Sequence, residues 1–193
     1  MAVVSIPKWN AQGVLPPINP ATPKEADRSP YQVSLTDLVL RYAITAERNT
    51  ILDGYLRFRT ALHAVGFVRG FQWVDGSFLE NIEVIEGRAP RDMDVVTFFH
   101  LPDGQTQEDL VRTSPRLFAL VHTKNDYRVD AYFVQLNGGT PEPLVGQSTY
   151  WYSLWSHRRN GQWKGYLQLD LSSGEDSVAK ANLDKMTNPG GQP

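Results

Sequence analysis

Three aspartates sit where an unpaired carboxylate is costly. Asp92 and Asp94 lead into Val95, Val96, Thr97, Phe98 and Phe99, a β-branched and aromatic run that reads as a buried strand of about six to eight residues. Residues i and i+2 on a strand point to one face, so the two carboxylates project side by side. They repel each other there, and burying either costs several kcal/mol unless a cation neutralises it. Asp130 stands in a second apolar run, Val129-Asp130-Ala131-Tyr132-Phe133-Val134. Hard carboxylate oxygens suit Mg²⁺, which keeps open positions for water and phosphate oxygens. The alternative is a solvated Asp-x-Asp turn at a strand end.

A Gly76-Ser77 turn precedes the pair and follows the apolar approach Phe71, Trp73, Val74. Glycine lets the backbone come close to a phosphate, and the Ser77 hydroxyl can hydrogen-bond a phosphate oxygen. Arg88 and Arg91 flank the acidic pair and could grip phosphate oxygens bidentately, or could simply neutralise Asp92 or Glu86. Lys164, in Trp163-Lys164-Gly165, could reach a phosphate or stay a surface lysine. Tyr150, Trp151 and Trp155 could stack a base, or at helical spacing could belong to the core. Asp75, just before the glycine, is assigned to the turn and not to the carboxylate set.

These residues need a scaffold. Residues 1–33 are Pro-rich, which forbids regular helix and predicts an extended N-terminal arm. Trp9, Val14, Leu15 and Ile18 would anchor it over the domain. Ser34, with Asp37 three residues on, opens a helical stretch to Ala64, with a bend at Asn49-Thr50. Its charges, Arg48 and Arg59 among them, read as a solvated face. A strand over 67–74, the turn, an excursion loop over 80–91 and the strand 92–99 follow. Residues 105–124 read as one or two helices, with Ser114 as N-cap. A strand over 127–136, a helix over 146–157 and a final strand over 163–171 complete a domain spanning 34–171. Residues 172–193 read as a flexible tail. The order predicts an α+β fold, a small mixed sheet of about four or five strands packed against helices.

Gly-Ser, then Asp-x-Asp at a strand end, then one Asp on a later strand resembles the polymerase-β-like nucleotidyltransferase superfamily. More narrowly, IPKWNAQGVLPP, FQWVDGSFLE, GRAPRDMDVVTFF and the late Trp163-Lys164-Gly165 resemble a family of small bacterial and phage-borne nucleotidyltransferase-fold proteins close to abortive-infection toxins. That resemblance covers roughly residues 6–171. It implies a nucleotidyltransferase core in which Asp92, Asp94 and Asp130 hold Mg²⁺ (or Mn²⁺), and Gly76 and Ser77 meet the triphosphate. The expected activity moves a nucleoside monophosphate from an NTP such as ATP to a hydroxyl of an RNA or tRNA end, or of a protein. A toxin or phage-defence role and a cognate antitoxin are expected at family level only. Two alternatives remain: a catalytically inactive member of that fold that binds a nucleotide or a protein, and a structural protein with solvated acids.

Composition narrows the partners. The chain has 193 residues and 41% hydrophobic content, enough for one domain with a sizeable core. Zero cysteines exclude disulfides and thiolate chemistry and fit a cytoplasmic protein. Four unclustered histidines argue against zinc. The first residues lack a basic stretch before a long apolar core, so no secretory signal is expected. No apolar run is long enough to span a membrane. The net charge of −2 argues against a sequence-independent duplex DNA binder, which needs a basic excess.

Overall fold

The computed structural model describes residues 4–24 and 27–188. Short strand β1 (Tyr31–Gln32) leads to α1 (Leu35–Tyr42) and α2 (Ala46–Ala64). Ser34 caps α1, its hydroxyl accepting from the Asp37 amide at 2.9 Å. The bend expected at Asn49-Thr50 falls earlier, at 43–45. There Thr45 caps α2 by accepting from the Arg48 amide at 3.2 Å, a favoured N-cap geometry. Thr50 is tolerated inside α2 because its hydroxyl donates to the Ala46 carbonyl at 3.0 Å.

Next come β2 (Gly70–Asp75), a 3-10 turn (Ser77–Leu79), α3 (Ile82–Glu86) and β3 (Met93–Phe99). The stretch expected to be a loop thus holds a short helix, stopped by Gly87 in the left-handed region. The chain continues through α4 (Gln107–Thr113), α5 (Leu120–Tyr127), β4 (Val129–Gln135), α6 (Glu142–Trp155), β5 (Leu167–Asp170) and α7 (Asp176–Thr187). Ser114 closes α4 as its C-cap instead of opening α5, whose N-cap is Ala119. The segment expected to be a flexible tail forms α7, with Ala179 and Leu183 buried one turn apart. Positions 189–193 of that segment, and 1–3 and 25–26 of the arm, lie outside the described residues.

The described strands form one mixed sheet in the order β1-β5-β2-β3-β4. β3 runs parallel to β4 and antiparallel to β2. A parallel pair needs a crossover, which α4 and α5 provide. Side-chain alternation divides the sheet. On one face Phe133 packs on Phe58 of α2 and Gln72 meets Tyr55 of α2. On the other, Tyr132 packs on Trp151 and Trp155 on Tyr166, so α6 lies there.

The arm is fastened to this body through Trp9, Val14 and Leu15, whereas Ile18, expected as a fourth anchor, is exposed. Val14 and Leu15 are fully buried, the Trp9 indole N–H donates to the Leu79 carbonyl at 2.6 Å, and the Gly165 amide donates to Leu15. Two arginines read as solvated, Arg48 and Arg59, are buried instead. Arg59 reaches Asp176, Gln72 and the Asp170 and Ser172 carbonyls, and Arg48 turns inward to the segment after β2. The Glu175 carboxylate also accepts from the Leu35 amide at 2.7 Å, tying the approach to α7 onto the start of α1.

Candidate functional site

Strand register assembles a row of acids. Asp75 of β2 pairs with Asp94 of β3, and Asp94 pairs with Asp130 of β4. Adjacent strands are about 4.8 Å apart, so three carboxylates lie side by side across three strands. Asp92 stands two residues before Asp94 and joins them on the same face. All four line one open cleft of about 1480 Å³, together with Gly76, Ser77, Arg88, Arg91 and Lys164. The carboxylate, turn, arginine and lysine candidates are therefore all brought to one place.

The turn is built to pass close to the acids. Gly76 has φ 92°, and a Cβ there would lie 2.4 Å from the Asp94 Oδ2, so only glycine fits. The fully buried Arg48 pins the residues after the turn. It donates to the carbonyls of Phe78 at 2.6 Å and Glu80 at 2.7 Å, and its Nε pairs with Glu83 at 2.6 Å. With Trp9 on Leu79, three successive carbonyls after the turn are held by side chains.

The charges are unevenly matched. Lys164 is buried, not a surface lysine. Its ammonium lies 2.8 Å from Asp75 and 3.3 Å from Glu80, and these two carboxylates keep it charged despite burial. Glu80 continues to Arg158 at 3.1 Å, and Arg158 to Glu86 at 2.5 Å. Arg88 closes the chain on Glu86 at 2.7 Å, the pairing expected of its neutralising role. Burial pushes the Asp75 carboxyl up to about 7, against the pull of Lys164, with Asp94 and Glu80 adding to the rise. Burial, then Asp92 and Asp130, push Asp94 up to about 6.

Lys124 of α5 supplies the other cation. Its Nζ lies 2.8 Å from Asp92 Oδ2 and 2.8 Å from Asp130 Oδ2, and hydrogen bonds to Asp130 and Asp92 raise its pKa. Sequence reading missed Lys124, Glu80 and Arg158 and excluded Asp75. For Asp75 the signal was present: an acid ending an apolar strand directly before Gly-Ser. Trp151 and Trp155 line the cleft while packing as core; Tyr150 is exposed.

Aspartate oxygens are the donor type a hard divalent ion takes, and the position between Asp92 and Asp130 already accepts a cation. As the side chains stand, no group of three His, Asp or Glu among the described residues is arranged to hold a metal ion. Lys124 would have to leave first.

Fold and cleft define an α+β protein with an acid row on the floor of an arginine-rimmed cleft. The chain belongs to the DUF6932 family, a family of unknown function whose model matches residues 7–170. No curated protein and no solved structure matches it. Among the described residues no helix is long and apolar enough to cross a membrane.

Proposed function

We propose that the cleft is the active site of an Mg²⁺- or Mn²⁺-dependent nucleotidyltransferase that moves a nucleoside monophosphate from an NTP to a hydroxyl of an RNA or protein. The observation that carries this reading is the registered row of Asp75, Asp94 and Asp130 with Asp92 beside it, facing a glycine turn that only glycine can make. Asp92, Asp94 and Asp130 would hold the metal, which when bound supplies charge neutralisation at the phosphates. Gly76 and Ser77 orient the triphosphate from a turn held by Arg48. Asp130 accepts the proton of the attacking hydroxyl as its oxygen bonds to the α-phosphorus and pyrophosphate departs. Arg91 and Arg159, at the cleft wall, meet the charge of the polyphosphate or of an RNA acceptor. Gain in such transfers comes mostly from positioning and charge. A toxin or defence role, with an antitoxin partner, belongs to the same proposal.

The lysine bridge between Asp92 and Asp130 favours a second reading, in which the cleft binds a ligand without turnover. Thermal unfolding with Mg²⁺ or Mn²⁺ and each of the four NTPs, in wild type and Asp94→Asn, separates them. Ligand bound to the native state raises Tm by mass action. The first reading expects a metal-dependent rise with at least one NTP, lost in the variant, and then transfer of label from that NTP. A metal-independent rise would support binding alone, and no rise under any condition would sink both.

A further inference from the structure

Lys124 bridges two carboxylates of the acid row from a largely open position. It stands on the exposed side of α5, its side chain half open to solvent, yet its Nζ is equidistant at 2.8 Å from Asp92 and Asp130. α5 joins β4 through Arg128 alone, held at φ 59°, so the lysine is delivered directly above the β3–β4 pair. Asp130 is six residues ahead of it in sequence, and Asp92 reaches it only through strand pairing.

A divalent ion shared by these two oxygens would sit about 2.1 Å from each. An ammonium at 2.8 Å from both occupies the same gap, so the two cations exclude each other. The exchange is feasible for Lys124 and not for Lys164. Lys164 is enclosed, with a side chain only 6% exposed, whereas Lys124 has a flexible four-carbon stem with open cleft beside it. Asp94, with no ammonium of its own, is left as the third donor.

We propose that Lys124 is a tethered counter-cation that competes with the divalent ion for Asp92 and Asp130. It holds the carboxylates together while the metal is absent and sets the metal concentration at which the cleft becomes loaded. This rests on the metal-dependent nucleotidyltransferase reading of the cleft. A site whose competent state is populated only about one-tenth of the time binds its ligand about tenfold more weakly.

The test is calorimetric titration of the full chain with Mn²⁺ alone, without nucleotide. Lys124→Met keeps the stem and removes the charge; Lys124→Arg keeps the charge and offers a bidentate fork to carboxylates. Lys185→Met, on α7, makes the same change in net charge away from the cleft. The expected result is Mn²⁺ binding about tenfold tighter in Lys124→Met, weaker than wild type in Lys124→Arg and unchanged in Lys185→Met. Circular dichroism checks that each variant is folded. If Lys124→Met does not fold, the Arg variant decides alone, and tighter binding there overturns the proposal. Equal or weaker binding in folded Lys124→Met overturns the lysine's role and leaves the metal reading standing. No binding by any folded form overturns both.

Discussion

The two faces of the sheet solve the same problem in opposite ways. Each buries charge against β2 and β3. On the helix-covered face, Arg59 is enclosed by Asp176, Gln72 and two backbone carbonyls; Gln72 in turn accepts from Tyr55 and donates to Thr97 at 3.0 Å. One cation meets one anion, and the polar groups around them are used. On the cleft face, Asp75, Glu80, Asp92, Asp94 and Asp130 share two lysines and Arg158. The acid row is thus under-matched by its direct partners, and two of its carboxyls are pushed well above their ordinary range. A closed network specifies the fold; an acid-rich one, left open to solvent, is suited to take up a cation from outside.

Breaking the closed network should cost most. Arg59→Met leaves Asp176 without its arginine, while Gln72 keeps Tyr55 and Thr97, and removal of one member of a buried pair costs about 3–5 kcal/mol. Urea unfolding would measure it, and a loss below about 1 kcal/mol would mean that Arg59 is not what joins α7 to the sheet.

On the cleft face the deficit should depend on pH. Lys164→Met strands Asp75, Glu80 keeping Arg158, yet Asp75 already sits near 7 and can take up a proton. The expected cost is about 2–3 kcal/mol at pH 8, shrinking toward pH 5 as Asp75 becomes neutral. A deficit flat across that range would contradict the assignment.

The smallest effect has the opposite sign. Asp94 titrates near 6 in the folded protein and near 3.9 unfolded, so the native state holds the extra proton between them. Wild type therefore loses stability through Asp94 as well as Asp75 as pH rises from about 4 to about 6, whereas Asp94→Asn loses only the Asp75 part. Without metal the variant should be more stable by about 1–3 kcal/mol above pH 7 and by nothing near pH 3. Equal pH profiles would show that the acid row carries no strain.

Local pattern made much of this legible. The Asp92–Asp94 spacing, the apolar runs behind them and behind Asp130, and the Gly76-Ser77 turn were readable because strand alternation and turn chemistry act over a few residues. The helix cap at Ser34 obeys the same short-range rules. What was not legible depends on distant partners. Arg48 and Arg59 look like any polar helix positions until Glu83 and Asp176 arrive beside them. Lys164 looks like a surface lysine until β2 brings Asp75 to it. The α7 helix was hidden by Ser172-Ser173-Gly174 before it, although Ala179 and Leu183 lie at helical spacing. Lys124 carried no signal, since its partners are set by strand pairing.

The tie between the α7 segment and the first helices also governs when the protein can become whole. Arg59 and Asp176 lie 117 positions apart, and Leu35 and Glu175 lie 140 apart. Such contacts form late, because a long loop must close before they stabilise anything. During synthesis α1 and α2 emerge early, with Arg59 and the Leu35 amide still lacking their partners from the α7 segment. They wait for nearly all of the sheet, including the acid row, before α7 arrives to cover them. The face of the sheet opposite the cleft is therefore closed last, by a helix that contributes no residue to the cleft lining.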